Sequence, residues 1–492
     1  MKVLFLYPQW TGSYGIFSHF ARRASTYPPL NLALLGAIAE ARGHEVKIID
    51  GQAQWLNDEK IVEQALAWEP DFVGFTGYSP FYHIQVRVAG MLKARGCKAA
   101  IAIGGSHVTI VKQEGMVPEF DFGFVGEAEE CFPQFLDTLG DGGDFSEVPG
   151  LMWRKDGALV FNGPAPALKT LDPYPLPARH LLDMSLYRMG TMKGRFNFTT
   201  IQTTRGCPWK CIFCASESLN TTRVLRRKPE AVVDEIKQVH DTYGITHYSF
   251  VDDVLTLDRD HVFEICDRLD AAGLKITFEG STRANLVDEE VIERLSRSGL
   301  IRLSFGLETV DSEMRRTMKK KVPLKYYENA NRLCNKYGVE ALNSVMLGLP
   351  GETRETVKKT LEFLRNAREV KQANFAIAVP YPGTELYEMA VHGDQGIRLE
   401  THDFSKFYRY GSAVTTVNDL SPEDLLELQN DGFVSIYAAP WRWIPMVKKH
   451  GIMGAAIMLV RVARIVARKM FKNEFSRRLF GAAALRSAYS GR

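Results

Sequence analysis

Short apolar segments alternate with amphipathic segments in two separate runs along the chain, and this pattern limits the fold more than any other feature. In residues 1–140, five strand candidates are separated by helix-like stretches such as Leu32–Arg42 and Ile84–Arg95. Strands and helices that alternate in this way favour an open, doubly wound parallel α/β sheet. The strand candidates are Val3–Tyr7, Glu45–Asp50, Asp71–Thr76, Lys98–Gly104 and Asp121–Gly126.

The residues that follow these strands are small or polar. Ligands of doubly wound sheets bind outside the carboxyl ends of the strands, and small residues let a cofactor approach the backbone closely. No G-x-G-x-x-G fingerprint follows the first strand, so a dinucleotide is not indicated. We predict a cofactor site at this edge, formed by Tyr78, Ser79, Gly104, Gly105, Ser106, His107, Gly126 and Glu127.

A second run of strand and helix candidates occupies residues 198–395. Six strand–helix units favour a partial relative of the eight-unit barrel. Residues 141–197, which are rich in Gly and Pro, are interpreted as a linker, and residues 396–492 as a helical C-terminal region. The six strand candidates are Phe198–Thr203, His247–Val251, Lys275–Glu279, Ile301–Phe305, Ala341–Leu347 and Asn374–Val379.

Three of the seven cysteines, Cys207, Cys211 and Cys214, lie within eight residues of one another, just after the first strand of the second run. A structural zinc ion normally takes four ligands, and a cubane iron–sulfur cluster normally takes four cysteines. With three cysteines, one iron of a cluster stays open for a substrate or cofactor. The alternatives are unrelated buried cysteines, or a zinc site completed by a distant residue such as Cys266 or Cys334.

At these cysteines the sequence resembles the radical S-adenosylmethionine (SAM) superfamily, whose signature has the same C-x3-C-x2-C spacing. The aromatic Phe213 before the last cysteine also matches. The resemblance implies a [4Fe–4S] cluster on Cys207, Cys211 and Cys214, whose fourth iron chelates SAM. Reductive cleavage of SAM would give methionine and a 5′-deoxyadenosyl radical that abstracts hydrogen from the substrate.

The same resemblance assigns polar residues at the strand ends, where barrel active sites collect. Asp252 and Asp253 take the place that binds the methionyl amine of SAM, although the common pattern there is Gly-Gly-Glu. A helix N-cap is the alternative role for either aspartate. Arg283 and Glu308 resemble the polar contacts to SAM, and a structural salt bridge between them is the alternative.

The N-terminal run resembles the cobalamin-binding domain of the anaerobic Mg-protoporphyrin ester cyclase and hopanoid methylase group. The D-x-H-x-x-G motif is absent, so the resemblance implies cobalamin bound without a protein histidine below the metal. His107 is either close to the corrin or a capping or core histidine, and a purely structural domain is the alternative for the whole unit. The matching stretches are Tyr27–Pro29, Gly43–Val46, Gly104–His107, Val125–Glu127 and Asp172–Arg179.

The C-terminal tail carries most of the positive charge. From Trp441 to Arg492 there are twelve Lys or Arg and one acid, which gives +11 against a net charge of +3 for the whole chain. Basic and apolar residues alternate in Arg461–Lys472 at helical spacing, which suits the surface of an anionic membrane. A terminal helix packed on the barrel is the alternative. No RNA-binding module accompanies the charge, so nucleic acid is not an expected partner.

The odd number of cysteines argues against a secreted disulfide framework and predicts a cytoplasmic protein. No signal peptide or membrane span is predicted, and the tail would hold the protein peripherally on the inner face of the membrane.

The leading functional hypothesis is a cobalamin-dependent radical SAM methyltransferase acting on an unactivated carbon of a small molecule or lipid. An electron donor such as flavodoxin or ferredoxin would serve the cluster. The alternatives are a radical SAM cyclase or rearrangement enzyme, an RNA methylthiotransferase, and a cobalamin sensor. The methylthiotransferase would need a second cysteine-ligated cluster, yet only Cys97 and Cys131 occur in the N-terminal domain.

Overall fold

The computed structural model describes residues 1–11, 26–191, 194–437 and 439–443, with single positions at 447, 452, 460 and 463. Within these residues, two seven-stranded sheets form the two halves of the molecule. The predicted α/β class, with a doubly wound sheet followed by a partial barrel, is confirmed.

The first sheet has the strand order β2-β1-β3-β4-β5-β6-β7, in which β1 to β5 run parallel. All five residues of β3 are buried, as expected for a strand covered by helices on both faces. The predicted parallel strands are therefore confirmed within two residues at either end. The strands are β1 (Lys2–Tyr7), β2 (Glu45–Asp50), β3 (Phe72–Thr76), β4 (Ala100–Gly104), β5 (Phe122–Phe124), β6 (Leu151–Lys155) and β7 (Ala158–Phe161).

The helices of this domain connect successive strands and cover the sheet. They include two that the sequence pattern predicts, α1 and α4. The helices are α1 (Leu30–Ala41), α2 (Gly51–Gln54), α3 (Asp58–Trp68), α4 (Tyr82–Ala94), α5 (Ser106–Val111) and α6 (Cys131–Asp141).

Strands β6 and β7 differ from the sequence prediction, which treats residues 141–197 as a linker. They form an antiparallel hairpin that extends the first sheet beyond β5. The hairpin turn is Asp156-Gly157, and both residues have positive φ angles, 50° and 81°. An Asp-Gly pair between two short strands is a hairpin signal, so the sequence contained this information.

The second sheet has the order β16-β15-β14-β13-β12-β9-β8 and stays open, with β16 and β8 at its edges. Strands β9 and β12 to β16 run parallel and correspond to the six predicted strands. Strand β8, which belongs to the predicted linker, pairs antiparallel with β9. The strands are β8 (Arg188–Thr191), β9 (Gly194–Ile201), β10 (Thr204–Arg205), β11 (Leu225–Arg226), β12 (His247–Phe250), β13 (Thr277–Thr282), β14 (Leu300–Glu308), β15 (Glu340–Leu347) and β16 (Gln372–Ile377).

Helices on the outer side of the second sheet bury its apolar face. Phe278, Leu303, Phe305 and Leu307 alternate along β13 and β14 and are at most 1% exposed. The helices of this half are α7 (Ser216–Asn220), α8 (Pro229–Tyr243), α9 (Arg259–Ala271), α10 (Glu289–Arg297), α11 (Ser312–Thr317), α12 (Leu324–Lys336), α13 (Arg354–Asn366) and α14 (Glu385–His392).

The C-terminal region is only partly helical where the structure describes it. Strands β17 (Ile397–Leu399) and β18 (Thr415–Val417) form a small hairpin before helix α15 (Pro422–Tyr437). The predicted amphipathic segment 461–472 lies outside the described residues, apart from position 463. In the part of the chain that the structure describes, no helix is long and apolar enough to cross a bilayer.

The segment between the sheets is anchored to both of them. The Tyr187 hydroxyl donates to Asp50 Oδ2 at 2.6 Å, at the end of β2. Arg179 forms a buried ion pair with Glu235 of α8, with 2.6 Å between Nη2 and Oε1. Buried polar contacts of this kind fix a geometry more than they add stability. They set how the first sheet lies against the second.

Candidate active site

The three clustered cysteines lie in a loop that is closed by a two-stranded ribbon. Strand β10 pairs antiparallel with β11, and the cysteines lie on the chain between them. Gly206, just before Cys207, has a φ of 104°, and a Cβ atom there would lie 2.0 Å from the carbonyl oxygen of Arg223. Only glycine allows this approach of the two backbones, so Gly206 is required for the ribbon that presents the cysteines.

The cysteine thiols are half-buried and influence one another. Burial raises the pKa of Cys207, and it raises the pKa of Cys214 to about 11, with smaller contributions from the neighbouring thiols and Asp253. The backbone N–H of Cys214 donates to the carbonyl of Cys211 at 3.0 Å. A thiol becomes a metal ligand only when the metal displaces its proton.

The donor set of the loop fits an iron–sulfur cluster. Cys207, Cys211 and Cys214 bring three thiols to one short segment of chain, and thiolates are the ligands that such clusters take. Among the residues that the structure describes, no group of three or more His, Cys, Asp or Glu side chains that could hold a single metal ion is found.

Three of the other four cysteines are buried in apolar cores. Cys266 of α9 and Cys334 of α12 are 1% and 0% exposed and pack in the apolar core under the second sheet. Cys131 is buried in the core of the first domain, where burial raises its pKa to about 12. These are structural cysteines, so the zinc alternative lacks the fourth ligand proposed for it.

Two cations flank the cysteine loop. Arg283 Nη1 lies 3.9 Å from Cys211 Sγ, and its guanidinium lies 4.2 Å from the centroid of the Trp209 ring. Lys320 Nζ lies 5.9 Å from the centroid of the Phe213 ring. Their positive charge favours anionic ligands beside the cysteines.

The salt bridge between Arg283 and Glu308, which is the alternative to their predicted contacts with SAM, is not formed. Glu308 instead pairs with Lys320, with 2.7 Å between Oε1 and Nζ, and both side chains are nearly buried. Burial alone would lower the pKa of Lys320, but the Glu308 carboxylate outweighs it and holds that pKa above its usual range. Lys320 is one of three consecutive lysines, and no local pattern distinguishes the one that is buried.

The two aspartates after β12 have different surroundings. Asp252 is 4% exposed and accepts hydrogen bonds from the backbone N–H groups of Thr203 and Thr204 at 2.7 and 3.1 Å. Asp253 Oδ2 accepts from the N–H of Gly206 at 3.1 Å and from the Ser216 hydroxyl at 3.4 Å. Asp253 is thus the aspartate that lies beside the cysteine loop.

Neither aspartate is a helix N-cap. Asp258 caps α9, accepting from the N–H of His261 at 3.2 Å. Asp252 holds the chain that leads into the cysteine loop, and burial raises its pKa to about 6. Its role as a SAM ligand stays a prediction, and its present contacts are all with the protein backbone and side chains of Thr203 and Thr204.

At the carboxyl edge of the first sheet, glycines allow two backbone segments to approach each other closely. Gly105 has a φ of 94°, and a Cβ atom there would lie 2.9 Å from the backbone nitrogen of Gly77. The N–H of Gly77 donates to the carbonyl of Gly104 at 2.8 Å. Tyr78 is 41% exposed at this edge, so the predicted cofactor edge has a tight backbone and an accessible aromatic ring.

His107 is a core histidine. It is 3% exposed, its Nδ1 lies 3.0 Å from the Ser79 hydroxyl, and its ring lies 4.3 Å from that of Tyr82 and 5.3 Å from that of Phe404. Burial lowers the pKa of His107 to about 4, so it is neutral at ordinary pH. Of the two alternatives from the sequence, the structure favours the core position.

Glu127 does not face an open cofactor site. Its Oε1 pairs with Arg205 Nη1 at 2.8 Å, and Glu129 Oε1 pairs with the same nitrogen at 2.7 Å. The preceding Gly126 donates its N–H to Thr109 Oγ1 at 3.0 Å. Sequence reasoning missed Glu129 and the contact between domains, because pairing over this separation leaves no local pattern.

The edge of the first sheet contacts the cysteine loop directly. Helix α5, which follows Gly105, packs on α7, which follows Cys214. A Cβ atom at Gly383 would lie 2.7 Å from Ile110 Cγ2 of α5, and the Ser218 hydroxyl of α7 donates to the carbonyl of Gly383. The edge of the first sheet and the cysteine loop are therefore next to each other in the structure.

Comparison with known families agrees with these two sites. The model of the radical SAM superfamily matches residues 201–364, and that of the B12 binding domain matches residues 20–136. The cofactors of these domains are a [4Fe–4S] cluster with SAM, and cobalamin. The first match includes all three clustered cysteines, and the second includes all eight residues predicted for the cofactor edge.

Two curated relatives resemble nearly the whole chain. An uncharacterized methyltransferase of Pyrococcus horikoshii is 29% identical over 87% of this chain and 91% of its own length. The anaerobic magnesium-protoporphyrin IX monomethyl ester cyclase of Rubrivivax gelatinosus is 25% identical over 83% of this chain and 72% of its own. The group predicted from the sequence is confirmed.

A solved structure shares the fold. The radical SAM methyltransferase TsrM from Kitasatospora setae, solved with cobalamin and a [4Fe–4S] cluster bound, matches 95% of this chain with a TM-score of 0.71. The match covers 99% of that chain at 17% sequence identity. The arrangement of the two sheets is therefore that of a known fold.

Proposed function

This chain is a radical SAM enzyme that also carries a B12-binding domain, and from that premise we propose that it methylates an unactivated carbon of its substrate. The methyl group would come from SAM and pass through cobalamin. The contact of α5 with α7 carries the proposal, because it joins the edge that would hold cobalamin to the loop that would hold the cluster. Methyl transfer through cobalamin needs these two cofactors to act on one bound substrate.

The residues of the cysteine loop have separate tasks in this proposal. Cys207, Cys211 and Cys214 would ligate the cluster, and Phe213 would line its approach. Arg283 and Lys320 would balance the negative charge of the cluster and of the SAM carboxylate, and Asp253 would accept from the SAM amine. The bound cofactors supply radical initiation and methyl-carrier chemistry.

The edge of the first sheet would hold cobalamin through backbone and small side chains. Gly104 and Gly126 would allow close approach of the corrin, Gly105 would shape the edge by its packing against Gly77, and Tyr78 presents its ring. His107 is turned into the core, which supports a binding mode without a histidine below the metal. Ser79 and Ser106 complete the proposed edge.

The substrate class is a small molecule or a lipid. Resemblance to the hopanoid methylase group and the basic tail predicted from the sequence favour a lipid at a membrane surface. A small electron-transfer protein such as flavodoxin or ferredoxin would reduce the cluster.

The test is transfer of an isotopically labelled methyl group. Anaerobic protein with reconstituted cluster, cobalamin, a reductant and SAM carrying a trideuterated methyl group is incubated with lipid and metabolite extracts. A product three mass units heavier than that formed with unlabelled SAM is expected. The Cys211→Ala variant should form none, whereas Cys97→Ser, which changes a cysteine of the first domain, should be as active as wild type. The proposal fails if active protein consumes SAM and the label never enters a product.

A cyclase or oxidative rearrangement enzyme is the second candidate, since the Rubrivivax cyclase resembles 83% of the chain. Such an enzyme would use the same cysteines and the same cobalamin edge. It would convert its substrate without incorporating the deuterated methyl group, so the same experiment separates the two candidates.

A further inference from the structure

Arg205 connects the cysteine loop to the edge of the first sheet. It lies in β10, two residues before Cys207, and its Nη1 pairs with Glu127 Oε1 at 2.8 Å and with Glu129 Oε1 at 2.7 Å. Both glutamates follow Gly126 at the end of β5. A single guanidinium of the barrel domain is thus held by two carboxylates of the N-terminal domain.

The contact is largely shielded from water. The side chains of Arg205, Glu127 and Glu129 are 18%, 21% and 8% exposed. The remaining guanidinium nitrogens donate to Gln202 Oε1 at 3.2 and 3.3 Å. Charge-assisted hydrogen bonds in such surroundings are stronger and more directional than those at a surface. Arg205 therefore has one well-defined orientation.

Glu127 is also linked to the other end of the cysteine loop, where the chain enters β11. Glu127 Oε2 accepts from the N–H of Leu168 at 3.2 Å, and the carbonyl of Leu168 accepts from the Arg223 side chain. Arg223 lies just before β11, whose strand pairs with β10. The carboxylates after β5 are therefore linked to both ends of the chain segment that carries the cysteines.

We propose that Arg205 is a positioning residue that fixes the cysteine-bound cluster relative to the cobalamin edge through Glu127 and Glu129. This inference rests on the proposed function only in assuming that both cofactors are bound. Because the pair lies two residues from Cys207, a shift of the loop against β5 moves the cluster with it. Functional sites tolerate about 0.5 Å of such movement before chemistry suffers.

The experiment measures the separation of the two metal centres. Cob(II)alamin and the reduced cluster are both paramagnetic, so pulsed electron paramagnetic resonance gives their distance distribution in the full-length holoenzyme without any substrate. Wild type is compared with Arg205→Met, with Arg205→Lys, and with the double variant Glu127→Gln/Glu129→Gln. Arg226→Met is the control, because Arg226 lies on the partner strand of the same ribbon and pairs with Asp258 of its own domain.

We expect Arg205→Met and the double glutamine variant to broaden the distance distribution about twofold, since both remove the same contact. Arg205→Lys should restore part of the narrow distribution, and Arg226→Met should leave it unchanged. In active preparations, the first two variants should cleave more SAM per methyl group transferred. A loss of one structural ion pair would not produce this uncoupling.

Each outcome bears on the proposal. Unchanged distributions in Arg205→Met and in the double variant overturn the inference and leave the proposed function intact. If Arg205→Met does not assemble its cluster, the double variant provides the test, because its changes lie in the other domain. A broadened distance distribution in the double variant supports the inference, and an unchanged one overturns it. Wild-type protein that binds no cobalamin overturns the proposed function and this inference together.

Discussion

If the cluster is bound on the cysteine loop as proposed, Arg283 would make its reduction easier, since Arg283 Nη1 lies 3.9 Å from Cys211 Sγ. Reduction adds negative charge, which a nearby cation stabilises. We expect Arg283→Gln to lower the midpoint potential by roughly 60 mV, the one-electron equivalent of ~1.4 kcal/mol. A redox titration followed by electron paramagnetic resonance measures this. Arg294→Gln, which removes a surface ion pair with Asp267, is the control, and a potential that rises in Arg283→Gln would contradict the assignment.

Glu352 lies in the turn after β15, where the sequence Gly-Leu-Pro-Gly predicts a turn. It is 1% exposed, and its Oε2 accepts from the N–H of Gly348 at 3.0 Å. Gly348 and Gly351 both have a φ of 83°, a conformation that favours glycine, so the two glycines shape the turn. Burial raises the pKa of Glu352 to about 7, from an ordinary value of 4.5.

This pKa makes stability depend on pH. Between pH 4.5 and 7 the native state holds the proton of Glu352 and the unfolded state releases it, so the free energy of unfolding falls as the pH rises. Above pH 7 both states are ionised and the fall ends. In the wild type this decrease in the free energy of unfolding is on the order of 3 kcal/mol. We expect Glu352→Gln to abolish it, because glutamine does not ionise. Anaerobic urea unfolding of both proteins from pH 4.5 to 8 measures it. Parallel pH profiles would show that Glu352 is ionised when folded.

At the scale of elements, the β10–β11 ribbon decides whether the cysteines are presented. We expect Gly206→Ala to lose most of its bound iron, because the new Cβ atom would collide with the Arg223 carbonyl. Gly244→Ala is the matched control. Gly244 also has a positive φ, 64°, but no atom lies within 4 Å of a Cβ there, so only ~1 kcal/mol of backbone strain is expected. Iron content and the visible spectrum after reconstitution distinguish them; equal iron content would contradict a role for Gly206.

The regular elements were accessible from the sequence because their signals are local. Buried parallel strands are continuous apolar runs, and the helices between them show a 3.6-residue period, so all eleven predicted strands occur in the structure. The β6–β7 hairpin was also signalled locally, by Asp156-Gly157, but it was overlooked within a segment rich in Gly and Pro. The β17–β18 hairpin has only three residues in each strand, too few to show alternation.

Only part of the candidate site could be predicted from the sequence. Cysteine spacing predicts the cluster loop because the three cysteines lie close together in the sequence, and their role as ligands stays a prediction. Lys320, Glu129 and the inward position of His107 depend on contacts between distant segments. Such contacts leave no periodic pattern, and no local rule distinguishes Lys320 from its two neighbouring lysines.

At the scale of the whole molecule, the boundary of the N-terminal domain can be tested with fragments. Residues 1–140 lack β6 and β7, which would expose the edge of β5 and remove the buried side chains of Leu151, Met152 and Trp153. Burial of three such side chains contributes roughly 6 kcal/mol. We expect a fragment of residues 1–165 to unfold cooperatively in urea and a fragment of residues 1–140 to lack a transition. Circular dichroism measures both, and equal cooperativity would contradict the contribution of the hairpin.

The position of the β6–β7 hairpin at the edge of the first sheet affects how the chain folds during synthesis on the ribosome. The first sheet cannot complete its edge until residue 161 has emerged, and Tyr187 then meets an Asp50 that is already in place. Domains generally fold as units in the order of translation. We therefore expect the carboxylates of Glu127 and Glu129 to be in position before Arg205 and the cysteines leave the exit tunnel, so that the nascent chain folds the cysteine loop against an N-terminal domain that is already formed.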